Sequence, residues 1–355
     1  MTTATTLNPS CDSTISVRWI ISKRDDLTWF IGSALTGYLS LVIVSGLNSK
    51  TSTAVLAFIW SFLINGPHIY ATATRTYFDG EQRRKMSRFL WLIFPLSILP
   101  LTLVAMGGSS LLLALAAAWG TFHVAKQHLG IVMLYKRVNH ERDKADFLID
   151  KWFLLASQML PLALFLLWFL SFPALAKMLG VAITMQALMV SGYLYRQVVK
   201  YRAKEQMNWP KLSLLALVIP LHWVAYVCAS HSTASGFFVF TIGINIGHAL
   251  QYHRLTWFHN RNRYQGGSGL AAVLSRRVIY YYAAALGLSL FFVLLGPSFL
   301  PFHGTELLLI GPTFMHYVLD SRIWRVREDP DLAKALRLTN TTPFARHHEQ
   351  VAGTA

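Results

Sequence analysis

Apolar stretches close to the roughly 20 residues that a helix needs to cross a hydrocarbon core recur along this chain. About ten are read, at 27–47, 53–74, 89–106, 109–135, 148–170, 173–195, 211–229, 236–257, 278–296 and 304–321. The pattern predicts an all-α, polytopic transmembrane helix bundle over 27–327, with polar tails at 1–26 and 328–355. Composition agrees, since 54% of the 355 residues are hydrophobic and 14% charged. A water-soluble domain of this size would struggle to keep such a balance off its surface. No internal repeat divides the chain, and Gln265 to Gly269 reads as a flexible loop.

The formal net charge of +16 is spread over short loops beside helix ends and forms no basic domain, so no nucleic-acid partner is expected. Basic clusters follow the even spans: Arg75 with Arg83, Arg84 and Lys85; Lys136 with Arg137; Arg196 with Lys200; Arg254 with Arg261; Arg322 with Arg325 and Arg327. By the positive-inside rule both termini are cytoplasmic, in a multi-pass protein of the inner (plasma) membrane. The polar first 26 residues lack the apolar core of a removable signal peptide, so the first span directs insertion. Cys11 and Cys228 fall on opposite sides of the bilayer, and no disulfide is expected.

Histidines sit near the cytoplasmic ends of four spans, in NGPHIYAT, TFHVAKQH, NIGHALQYH and GPTFMHYVLD. An imidazole in a lipid-embedded segment is costly, and His68, His123, His128, His248, His253 and His316 need a common reason to be there. A shared metal supplies one. Measured from the first basic residue after each span, His68, His128, His248 and His316 stand seven, eight, six and six positions inside, about 9 to 12 Å at helical rise. His316 and Asp320, four apart, share a helix face, as suits a ligand whose second nitrogen is held by a carboxylate. His123 with His128, and His248 with His253, are five apart, about 140° around a regular helix, which favours one ligand per helix. Gln127, Gln251 and Tyr252 then become supporting or substrate-facing groups. Pro67 and Pro312 each free a carbonyl one turn earlier and bend the helix, opening room beside the ligands.

Any one of these histidines alone could simply bond to a neighbouring helix. His222, beside Trp223, reads as packing or pocket wall; His140, His259, His303, His347 and His348 read as solvated; Lys126 snorkels or faces the site. With no cysteine pair at zinc spacing, no phosphate loop and no serine elbow, thiolate chemistry is excluded. All-imidazole ligation with one carboxylate beside an apolar interior suits non-haem Fe(II) with O2 as co-substrate, although zinc or copper accepts the same donors. The expectation is an Fe(II)- and O2-dependent oxygenase acting on an apolar, membrane-soluble substrate drawn from the lipid bilayer, with Asp320, Tyr252 and Gln251 in the reaction pocket. Two other readings stand beside it: a di-iron lipid desaturase or hydroxylase, and a transporter or haem-binding protein. The residues specify neither the regiochemistry nor a redox partner.

GPHIYAT, TFHVAKQ, IGHALQYHRLTWF and GPTFMHYVLDSRIWR together resemble the order of motifs in the Brp/Blh family of membrane β-carotene dioxygenases. The resemblance implies a carotenoid substrate and a non-haem iron held by His68, His123, His248 and His316, with His253 as a paired histidine and Asp320 near the last ligand. It covers four short windows. Thr72 stands where an acidic residue would follow the first motif, and Pro312 is separated from His316. The resemblance points to His123 where depth points to His128.

Overall fold

The computed structural model describes residues 17–47, 49–173, 175–232, 236–299 and 307–338, without the side chains of 176, 292–299 and 307–309. Cys11, His303, His347 and His348 lie outside the described residues, as do most of both expected tails. Among the described residues the regular structure is all helical. In chain order the helices are α1 (Lys23–Leu47), α2 (Lys50–Arg75), α3 (Gly80–Lys85), α4 (Ser87–Ala105), α5 (Ser109–Val138), α6 (Lys144–Phe169), α7 (Leu175–Arg202), α8 (Trp209–Ser230), α9 (Gly236–Arg263), α10 (Leu270–Arg276), α11 (Val278–Phe299), α12 (Leu307–Ile323) and α13 (Pro330–Ala335).

Six helices among the described residues are long and apolar enough to cross a membrane: α1, α2, α4, α6, α7 and α8. Helices α5 and α9, of 30 and 28 residues, are long enough but less apolar. Their hydropathy is lowered by the polar residues they carry inward, His123, Gln127 and His128 on one and His248, Gln251 and His253 on the other.

Helix α9 is the hub, packing on α1, α8, α5 and α2. Its approach to α1 depends on small residues: a β-carbon on Gly247 would stand 2.7 Å from the Ser33 carbonyl oxygen. Without a hydrophobic drive between helices in lipid, such close backbone contact is the main source of helix–helix attraction. Helix α7 carries no histidine and lies outermost, only 11% of its apolar window being buried.

A buried ion network ties α5, α6, α7 and α8 together at one end of the bundle. Lys136 Nζ reaches Asp150 at 2.6 Å, Lys211 Nζ reaches Asp150 at 3.0 Å and Glu141 at 2.8 Å, and Lys200 Nζ reaches Asp146 at 2.6 Å and Glu141 at 3.1 Å. Tyr193 donates to Asp150 at 2.8 Å. Lys136 is therefore buried inside the protein. The segment expected to begin a polar tail at 328 opens instead with α13, capped by Asp329, whose Leu332 is buried in the main core with Leu336 and Leu338.

Candidate metal centre

The first ligand helix is shaped by Pro67. Lacking an N–H, it cannot bond to the carbonyl four residues back, and the turn before it, Trp60–Asn65, widens to π geometry. The Gly66 amide bonds to Ser61, five residues earlier, and the carbonyl that Pro67 leaves free, on Leu63, accepts from the Tyr282 hydroxyl of α11. A β-carbon on Gly66 would collide with Ser289 of α11. The bend thus faces a helix that both supplies its missing donor and needs a glycine there.

Four histidines from four helices meet just beyond this bend: His68 on α2, His123 on α5, His248 on α9 and His316 on α12. All four are buried, and one ring nitrogen from each lies within 4.8 Å of the others. His68 Nε2 and His248 Nε2 are 3.2 Å apart. Two nitrogens bonded to one ion at about 2.1 Å with an angle near 100° are separated by about 3.2 Å, the same spacing. Among the described residues, His123 Nε2 and His316 Nε2 are buried with no hydrogen-bond partner. Orphaned nitrogens of this kind are costly unless something accepts their lone pairs. The donor set therefore fits a metal ion.

One turn C-terminal to three of these histidines lie Thr72, Tyr252 and Asp320, each four residues after its histidine and all buried. Thr72 Oγ1 is 2.6 Å from His316 Nδ1 and 2.7 Å from the Tyr252 hydroxyl, which donates to Asp320 Oδ1 at 2.9 Å. Asp320 stands behind Thr72: its Oδ1 is 3.2 Å from the threonine hydroxyl and 3.6 Å from His316, and its Oδ2 is 3.9 Å from His123 Nε2. The expected pairing of Asp320 with His316 is thus mediated by Thr72, which the sequence marks only as a departure from the first motif of the resembling family. Its signal was the spacing of four after His68, the same as that of the other two members.

His123, and not His128, joins the group. Lys136, the zero mark for the depth estimate on α5, is neutralised by Asp150 and sits inside the fold, so it does not mark a surface. His123 is 13 residues from Lys136, about 20 Å along the helix, and still reaches the common level. His128 turns the other way, its Nδ1 facing the Gln158 carboxamide and its ring 6.1 Å from that of His222. His253 also lies outside the four, with Nδ1 at 3.2 Å from the Tyr281 hydroxyl and its ring 6.1 Å from that of His68. Gln251 is taken up in tying helices, donating to the Phe30 carbonyl at 2.8 Å and accepting from Gln127 at 3.1 Å, while Gln127 also donates to the His248 carbonyl.

His222 bonds to the Val218 carbonyl of its own helix, and Lys126 is exposed on the outer surface of α5. His259, expected to be solvated, is buried, bonded to Asn260 and close to Trp324. Arg75 is buried too, its guanidinium 4.0 Å over the Trp324 ring. The Trp324 ring borders both groups inside the protein, where loop residues were expected.

On the opposite side of the histidines from Thr72, Tyr252 and Asp320 is a cavity of about 100 Å³. Its walls come from α2, α5, α9 and α12, the same four helices that carry the ligands, and include Trp60, Phe237, Phe238 and Phe314. Tyr317 also lines it while stacking on the His123 ring at 4.4 Å. The arrangement sets four metal-ligating nitrogens between a hydrogen-bonded support on one side and a mostly apolar chamber on the other. None of the family models, curated proteins or solved structures compared with the chain matches it.

Proposed function

We propose that His68, His123, His248 and His316 hold one non-haem Fe(II), and that the chain is an integral-membrane oxygenase using O2 on an apolar substrate taken from the bilayer. The observation that carries this reading is the convergence of four buried imidazoles from four helices beside an apolar cavity lined by those same helices. Imidazole donors with one carboxylate nearby suit ferrous iron and leave coordination positions for a co-substrate. When bound, the iron supplies one-electron chemistry with O2. The protein's own residues hold and dry the site. Thr72 and Asp320 fix the tautomer and orientation of His316, Tyr317 braces His123, and the aromatic walls exclude water.

Among the described residues this is the one group of three or more metal-ligating side chains, which favours a single ion over the di-iron alternative. The resemblance to Brp/Blh proteins makes oxidative cleavage of a carotenoid-like polyene the leading reaction. The same reading takes the chain as a plasma-membrane bundle of about ten spans with cytoplasmic termini.

Metal analysis of the purified protein, joined to lipid-extract profiles of cells expressing wild type and His68→Ala, His248→Ala and His316→Ala, tests it. About one iron per chain, lost in each variant together with a change in pigments or lipids, is the expected result. Full metal content in all three variants would overturn the assignment. Two irons per chain would move it to the desaturase class.

A further inference from the structure

The residue three positions before each of the four histidines lines the cavity: Asn65, Gly120, Asn245 and Thr313. Three residues is just under one turn, so these side chains form a layer directly over the ligands on the cavity side. Two carboxamides and a hydroxyl there contrast with the aromatic walls beyond. A chamber built for hydrocarbon alone has no use for them.

The hydrogen bonding of the carboxamides narrows what they await. Asn245 Nδ2 donates to the Thr241 carbonyl at 2.8 Å, and because that partner is a backbone oxygen the amide orientation is fixed, leaving Asn245 Oδ1 as an acceptor. The Asn65 carboxamide makes no capping bond to its helix and no other hydrogen bond within the described protein. One free acceptor beside a group that can donate or accept matches a hydroxyl, which does both.

On the reading of this site as the substrate chamber, but in place of the unsubstituted polyene that the Brp/Blh resemblance suggests, we propose that the substrate is a long apolar molecule bearing a hydroxyl group close to the reacting carbon, and that Asn65 and Asn245 recognise that hydroxyl. A plain hydrocarbon would leave both carboxamides without partners once water is displaced, and sites built for a polar group discriminate strongly against analogues that lack it. The cavity of about 100 Å³ holds the hydroxyl end and a few carbons. The remaining chain extends toward the bilayer.

The test uses full-length protein in nanodiscs, with [1-13C]dodecanol and [1-13C]dodecane as probes at matched mole fraction in the bilayer, followed by the carbon line width in iron-loaded and metal-free protein. Saturable dodecanol binding is expected, about tenfold or more tighter than that of dodecane, and lost selectively in Asn65→Leu and Asn245→Leu. Asn245→Ser should retain part of the preference. Equal binding of the two probes by wild type, or leucine variants that leave dodecanol binding unchanged, would overturn the proposal. Should the leucine variants not fold, the wild-type preference alone decides. Iron content is measured on the same samples, so a chain that prefers dodecanol but holds no iron separates failure of the metal reading from failure of this one.

Discussion

Thr72 Oγ1 and His316 Nδ1 stand 2.6 Å apart, joining helices α2 and α12. The contact lets the imidazole donate from Nδ1 and keeps Nε2 bare toward the other three ligands, while the threonine proton goes on to Asp320 or Tyr252. Supports of this kind typically alter metal affinity by about 10- to 100-fold. Thr72→Val should weaken iron binding by that factor in a chelator competition, with Thr72→Ser close to wild type. An unchanged affinity in the valine variant would remove Thr72 from the support.

Alanine at His123 and alanine at His128 should behave oppositely, although the two lie five residues apart on α5. His123 Nε2 is orphaned and belongs to the four, whereas His128 faces Gln158 and His222. Loss of one ligand of four should drop iron occupancy to near zero. His128→Ala should keep full occupancy and lose only the stability of a buried polar pair, about 1–3 kcal/mol, seen as a lower melting temperature. Iron retained in His123→Ala and lost in His128→Ala would reverse the assignment.

The helical class was legible because lipid-length apolar runs have one regular solution, and the four ligand segments were legible because histidine there is so costly. What failed was the ruler. Arg75 and Lys136 were taken to mark the membrane boundary, but Trp324 stacks on the first and Asp150 neutralises the second, so both are drawn inside. A positive charge in sequence does not announce its partner. The roles of Thr72, Asn65 and Asn245 were not legible for a different reason: each is an ordinary residue for its segment, Thr72 marked only by replacing an acidic residue of the resembling motif, and only a fixed spacing from a histidine, combined with the convergence of four helices, gives each a place in the site. The same spacing did announce Tyr252 and Asp320.

The loop residue Glu141 makes the fold sensitive to acid. Burial raises its pKa, but Lys211, Lys136 and Lys200 together outweigh that and hold the carboxyl down at about 2. A carboxylate depressed in the folded state contributes stability that is complete above its unfolded value of 4.5 and is lost as pH falls toward its folded one. The span from 4.5 to about 2 corresponds to about 3 kcal/mol as an order of magnitude. Melting temperature should therefore fall between pH 5 and pH 3 in wild type. Glu141→Gln should melt lower at pH 7, by the equivalent of roughly 3 kcal/mol, and lose much of that acid dependence. A variant with the wild-type acid profile would show that the three lysines do not act through this carboxylate.

Gly247, beside the ligand His248, links packing to the metal. Its β-carbon position lies 2.7 Å from the Ser33 carbonyl oxygen and 3.2 Å from the Ala34 α-carbon. Both are backbone atoms of α1 and cannot rotate away, so Gly247→Ala must push α9 from α1. Overpacking of this sort costs about 1–3 kcal/mol. It also carries the His248 ring with it, and a shift of a few tenths of an ångström matters where His68 and His248 nitrogens are 3.2 Å apart. The variant should melt lower and bind iron more weakly. Gly130, on α5 with nothing within 4 Å of its β-carbon position, is the control: Gly130→Ala should leave iron unchanged and hold or slightly raise the melting temperature, since alanine favours helix by about 0.5–1 kcal/mol. If Gly247→Ala melts lower but binds iron as tightly as wild type, the close crossing of α1 and α9 serves the fold alone. If neither property changes, the two helices are not as close as described.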